Sequence, residues 1–95
     1  MHSESLDVLK RKLHYLCRRR ATQELELLLM RFWEKNADDL TAQELLDLEQ
    51  ILTLDDMDLL AISLGQRPIP QGYNQTLFAK IVEGARSETL RTQPD

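Results

Sequence analysis

Apolar residues recur along this chain at spacings of three and four almost from end to end, the period of helices that bury one face. Leu6, Leu9, Leu13 and Leu16 mark a first helix over 3–17, with Ser3 or Ser5 as N-cap and an end near the arginine run. Leu25, Leu28, Leu29, Phe32 and Trp33 mark a second over 21–36, the most apolar of the set, which Asn36 can close as a residue tolerant of a left-handed turn. Thr41-Ala42-Gln43-Glu44 reads as a capping box opening a third helix over 41–52. Thr53-Leu54-Asp55-Asp56 offers a cap with two acids in the first turn of a short fourth helix over 54–64. Its Met57, Leu60, Ala61 and Leu64 share a face, and Gly65 is its natural stop. Residues 66–73 contain two prolines and a glycine and read as a loop. Asn74 or Thr76 caps a last helix over 74–86, lined inside by Leu77, Phe78, Ile81, Val82 and Ala85.

Short connections between helices favour antiparallel neighbours. The pattern therefore predicts an all-α fold, a compact five-helix antiparallel bundle forming a single domain over residues 1–86, with a polar C-terminal tail over 87–95. Ninety-five residues suffice for one core. The composition, 42% hydrophobic and 29% charged with 3 Gly and 3 Pro, is that of a folded domain and excludes a disordered chain. Leu, Glu, Gln, Arg and Ala lose little rotamer freedom on a helix, which reinforces the all-α reading.

The single Cys17 excludes an intramolecular disulfide, and no apolar run reaches the roughly 18–20 residues a membrane span needs. The opening MHSESLDVLKRK lacks the apolar stretch of a signal peptide and the acid-poor character of a transit peptide. A soluble, monomeric protein of the bacterial cytoplasm, without direct membrane insertion, is expected. Charge is uneven. The first twenty residues carry six basic groups against Glu4 and Asp7, whereas the remainder carries six basic against fourteen acidic. A basic end on an acidic body favours oriented docking to a partner.

Candidate chemistry is sparse. His14 and Cys17 stand three apart on one helix, but a structural zinc needs four ligands, and the other histidine is His2 near the terminus. Cys17 with His14 as nucleophile and base lacks oxyanion donors in a helix interior. The glycines are scattered at 65, 72 and 84, so there is no phosphate-cradling loop. The cluster from Lys10 to Arg20 keeps a small nucleic-acid-binding helical domain, or a generic protein-interaction module, as alternatives. A sequence pI near 5.1 and the lack of a helix-turn-helix pattern weigh against nucleic acid. Trp33 lies on an inner stripe and reads as a core anchor, and Glu44, Asp47, Glu49, Asp55, Asp56 and Asp58 read as solvated faces and helix-start charges.

The stretch Tyr15-Leu16-Cys17-Arg18-Arg19-Arg20-Ala21-Thr22-Gln23-Glu24-Leu25-Glu26 resembles the succinate dehydrogenase flavinylation factor family, whose signature R-G-x-x-E enters a helix continuing E-L-D-x-x-L. Arg20, Ala21, Thr22, Gln23 and Glu24 stand in that register. Residues 44–52 look like the family's helix of acids and leucines, and Asp56-Met57-Asp58-Leu59-Leu60-Ala61-Ile62-Ser63-Leu64-Gly65 looks like its D-x-D-L segment and glycine ending. The chain departs from the pattern at Ala21 for the motif glycine, Ile62 for a tryptophan, Leu16 for another and Leu60 for an aromatic, changes that bear on which flavoprotein is served.

The resemblance implies a helical assembly factor, not an enzyme. Such a factor binds the flavoprotein subunit of succinate dehydrogenase or fumarate reductase and promotes the bond between FAD and a histidine of that subunit. It also implies that the factor holds no cofactor itself and acts on FAD held by the partner. Carried over residue by residue, Arg19 and Arg20 would contact partner carboxylates or carbonyls, Ala21 would mark a close backbone approach, Glu24 would accept charged hydrogen bonds, and Asp58 is a further candidate for that surface. Arg20 and Glu24 are accordingly expected to stay reachable from solvent, so that alanine at either spares the fold.

Overall fold

The computed structural model describes the backbone of residues 2–92 and the side chains of residues 6–86. Helices α1 (His2–Arg18), α2 (Gln23–Asn36), α3 (Ala42–Leu52), α4 (Asp56–Ser63) and α5 (Gln75–Thr92) follow one another, with a 3-10 turn at Ala37–Asp39 and no strand among the described residues. No described helix is long and apolar enough to cross a membrane.

Each boundary has a local cause. α1 begins ahead of both serines proposed as its cap. α2 starts two residues later than expected, capped by Thr22: its hydroxyl accepts from the Leu25 amide at 3.2 Å, satisfying one orphan donor of the first turn. Asn36 does not turn left-handed. Its backbone stays right-handed at φ −116°, its Nδ2 donates to the Phe32 carbonyl, and the helix tightens into the 3-10 turn before stopping at Leu40. The capping box of α3 is complete, with the Glu44 amide donating to Thr41 and the Thr41 amide to the Glu44 carboxylate.

α4 starts at Asp56, two residues later than expected, so Asp55 is its cap through the Met57 amide and not an acid of the first turn. Gly65, at φ +79°, ends that helix in a Schellman motif, the Gln66 amide reaching Ala61 and its own amide reaching Ile62. Asn74 Oδ1 accepts from the Leu77 amide and caps α5, which runs on to Thr92, six residues past the expected end.

The core joins all five helices. Leu13 and Cys17 of α1 meet Leu25, Leu29, Phe32 and Trp33 of α2, Leu45, Leu48, Ile51 and Leu52 of α3, Leu59 and Ile62 of α4, and Leu77, Phe78 and Ile81 of α5. On α4 the buried face is Leu59, Ile62 and Ser63, not the Met57 stripe expected, and Met57 stands 63% exposed. α4 is apolar on two sides, so periodicity alone does not choose between them, and packing against α5 and α2 decides. Lys12 pairs with Glu49, while Arg20 reaches the far end of α3 at Leu52. α1 and α3 thus run in the same direction with α2 packed beside α1, as an up-down-up order requires. This order brings the C-termini of α1 and α3 and the N-terminus of α4 to one end of the molecule.

Candidate functional site

At that end two helix C-termini leave carbonyls that their own helices do not satisfy, a third helix presents a carboxylate in its first turn, and a single arginine donates to all three. Arg20 lies just past α1. Its Nε donates to the Leu16 carbonyl in the last turn of α1 at 2.7 Å, and its Nη2 donates to the Leu52 carbonyl at the end of α3 at 3.2 Å. Both carbonyls belong to the C-terminal turns, where backbone acceptors lack intrahelical donors and carry partial negative charge. Its Nη1 donates to Asp56 Oδ1 at 2.9 Å. Asp56 sits in the first turn of α4, where the positive end of the helix dipole favours a carboxylate.

The Arg20 side chain is only 5% exposed and that of Asp56 24%. Arg20 is therefore not reachable from solvent as expected. Its guanidinium is committed to carbonyls and a carboxylate of its own chain, so it organises the site from beneath. This is a correction with a plain cause: an arginine following a helix finds unsatisfied C-terminal carbonyls nearby, and tertiary packing brought two sets of them together.

The other motif residues lie on the surface of the turn this clamp holds. Ala21 is exposed, and its amide donates to Asp56 Oδ2 at 2.5 Å. No non-glycine residue in the described chain has positive φ, so position 21 does not demand glycine on conformational grounds. Arg19 is exposed, its guanidinium 5.5 Å from the Tyr15 ring centroid, a cation–π contact between side chains one helical turn apart. Glu24 is exposed in the first turn of α2 and makes no hydrogen bond or ion pair among the described residues. The structure thus brings Arg19, Arg20, Ala21 and Glu24 into one turn. Asp58 is not with them: it pairs with Arg67 at 2.5 Å, and two residues from Asp56 it points about 200° around α4. Asp56, read from sequence as a helix-start charge, is the member that reading missed. Its signal was present as an acid opening the D-x-D-L segment, but the partner it would find was a tertiary fact.

Elsewhere the chemistry is structural. Burial pushes the Cys17 thiol up to about 12, against a smaller opposing pull from Arg20, so the residue behaves as a small hydrophobe. His14 is exposed and stacks on Trp33 with ring centroids 6.3 Å apart, so it shares no site with Cys17 inside the core. No group of three or more His, Cys, Asp or Glu among the described residues could hold a metal ion. Gly65 and Gly72 lie seven residues apart in the connection between α4 and α5, and Gly84 lies within α5.

A family model described as flavinator of succinate dehydrogenase matches residues 11–85. The chain is also similar to the FAD assembly factor SdhE of Acetobacter pasteurianus, 34% identical over 83 residues that cover 87% of this chain and 76% of that protein. No solved structure matches.

Proposed function

Because the chain belongs to the flavinator of succinate dehydrogenase family over most of its length, we propose that it is an assembly factor promoting covalent attachment of FAD to a partner. That partner is the flavoprotein subunit of succinate dehydrogenase or fumarate reductase. The factor works in the bacterial cytoplasm as a monomer and has no catalytic chemistry of its own. FAD and the residue it joins belong to the partner. The factor binds neither FAD nor metal by itself, and lowers the barrier by holding the partner in a competent conformation, a positioning effect that needs no reactive side chain.

The observation that carries this reading is the division of labour at the turn between α1 and α2. Arg20 is consumed internally, and its clamp leaves Arg19, Ala21 and Glu24 displayed, with no hydrogen bond or ion pair to Glu24 among the described residues. An exposed carboxylate and an exposed arginine on a braced turn suit charge-assisted hydrogen bonds to a partner. Ala21 lies between them with a single methyl group. Since its backbone does not call for glycine, the family's glycine there is best accounted for by room for a partner backbone, which alanine nearly preserves. Asp58, paired with Arg67 on another side of α4, belongs at most to the margin of the surface.

The test is co-expression of the flavoprotein subunit with and without this chain in a bacterial host lacking its own factor. In-gel fluorescence of the denatured subunit reads covalent flavin, and severalfold more is expected with the factor present. Equal fluorescence in both contradicts the proposal. The purified factor should be colourless, and tight FAD binding by calorimetry without the partner would make it a flavin carrier instead.

A further inference from the structure

Asp56 lies outside the R-G-x-x-E register, yet the motif turn is tied to it. Its two oxygens are divided between Arg20 Nη1 and the Ala21 amide. Apart from the Arg20 bond to the Leu52 carbonyl, the remaining described bonds of the turn are local: the Arg19 amide to Tyr15, the Arg20 amide to Arg18, Arg20 Nε to Leu16, the Glu26 amide to Thr22, and the Thr22 cap to Leu25. Local bonds survive if the turn swings as a unit on the end of α1. The bonds to Asp56 and to Leu52 do not, because they cross to other helices.

We propose that Asp56 is a positioning residue for partner binding: one carboxylate on α4 fixes the Arg20 guanidinium and the Ala21 backbone together, and so sets how Arg19, Ala21 and Glu24 are presented. The inference rests on that turn being the partner surface. The chemistry requires an ionised carboxylate. Two donors approach two different oxygens, and only a carboxylate accepts at both. An asparagine keeps one acceptor and turns an NH2 donor against either a guanidinium or an amide N–H. Shielding of the arginine side chain keeps the pair from being screened as a surface ion pair is.

The experiment compares the parent factor with Asp56→Asn, and with Val82→Ala as a stability control on α5, where the partly buried Val82 packs against the core. Three quantities are measured: melting temperature, affinity for the purified flavoprotein subunit, and amide exchange by NMR. Asp56→Asn is expected to weaken binding by about tenfold or more and to speed exchange of the Ala21 amide, while the core amides of Leu48 and Phe78 change no more than in Val82→Ala. Val82→Ala is expected to keep the parent affinity despite its lower melting temperature. Arg20→Lys keeps the charge but gives up the planar fork, and is expected to shift Ala21 exchange and affinity in the same direction from a less perturbed fold.

Affinity of Asp56→Asn within about twofold of the parent overturns the proposal. So does an equal affinity loss in Val82→Ala, which would reduce Asp56 to general stability. Ala21→Arg separates this inference from the one beneath it. If Ala21→Arg abolishes binding while Asp56→Asn binds normally, the surface stands and the positioning role falls. If Ala21→Arg binds as tightly as the parent, the surface itself is wrong and the positioning role falls with it.

Discussion

Arg20 and Glu24 sit four residues apart in one motif, and their surroundings assign them opposite consequences. Three donor nitrogens of Arg20 are spent within the chain, two on helix-end carbonyls and one on Asp56. Arg20→Ala strands both carbonyls and leaves a partly buried carboxylate without its cation. Removing one partner of such a network typically costs about 2–4 kcal/mol. Arg20→Ala is therefore expected to lower the urea midpoint substantially, contrary to the expectation from sequence that it spares the fold, and a midpoint equal to the parent's would show the clamp to be idle. Glu24→Ala removes an exposed side chain without described partners and should stay within about 0.5 kcal/mol.

Cys17 gives the residue scale a pH signature. Its thiol titrates at 9.0 ordinarily and near 12 when folded, because burial penalises the thiolate more than Arg20 assists it. The folded protein therefore holds this proton more tightly than the unfolded chain. The associated stability is fully present below about pH 9 and is lost as pH rises toward 12, with a slope of at most about 1.4 kcal/mol per pH unit. Other groups titrate in the same window, so the informative quantity is the difference between the parent and Cys17→Ala. The parent should lose stability faster between pH 9 and 10.5, and parallel curves would contradict a buried thiol.

At the scale of elements, the sequence was most legible where a side chain caps its own helix. The Thr41 box, the Gly65 stop and the Asn74 cap depend on residues within a few positions of each other, so local chemistry determined them. Thr41→Ala, which removes the hydroxyl half of the box and leaves the backbone N–H of residue 41 to Glu44, should cost about 1 kcal/mol in a urea melt. No change would mean that tertiary contacts alone hold that end of α3. Legibility failed where two local solutions were near in energy. Asn36 suited a left-handed stop, but continuation into a 3-10 turn leads the chain to Leu40, which the core buries. The short α4 offers apolar residues on two sides, and only the arrival of α5 and α2 selects Leu59 and Ile62 over Met57. The same reason hid Asp56: its binding partners lie 35 and 36 residues away, beyond any local pattern.

At the scale of the whole molecule, the order of the helices makes the site. Two helix C-termini and one helix N-terminus converge, their dipoles put partial negative charge beside partial positive charge, and Arg20 with Asp56 occupies the junction. The basic first helix ends there, so an acidic partner surface would be drawn to the end of the molecule that displays Glu24 and Arg19. The motif residues were legible as a cluster in the sequence; which of them stay exposed and which brace the others was not, since that depends on how α3 and α4 close against α1. The central claim is that this turn binds the flavoprotein through side chains the fold does not need. It is tested most directly by in-gel fluorescence of covalent flavin on the subunit co-expressed with the parent factor or with Glu24→Ala, after matched melting curves establish that both are folded. The account predicts a melting temperature near the parent's and loss of most covalent flavin; full flavin attachment by a folded Glu24→Ala factor would contradict it.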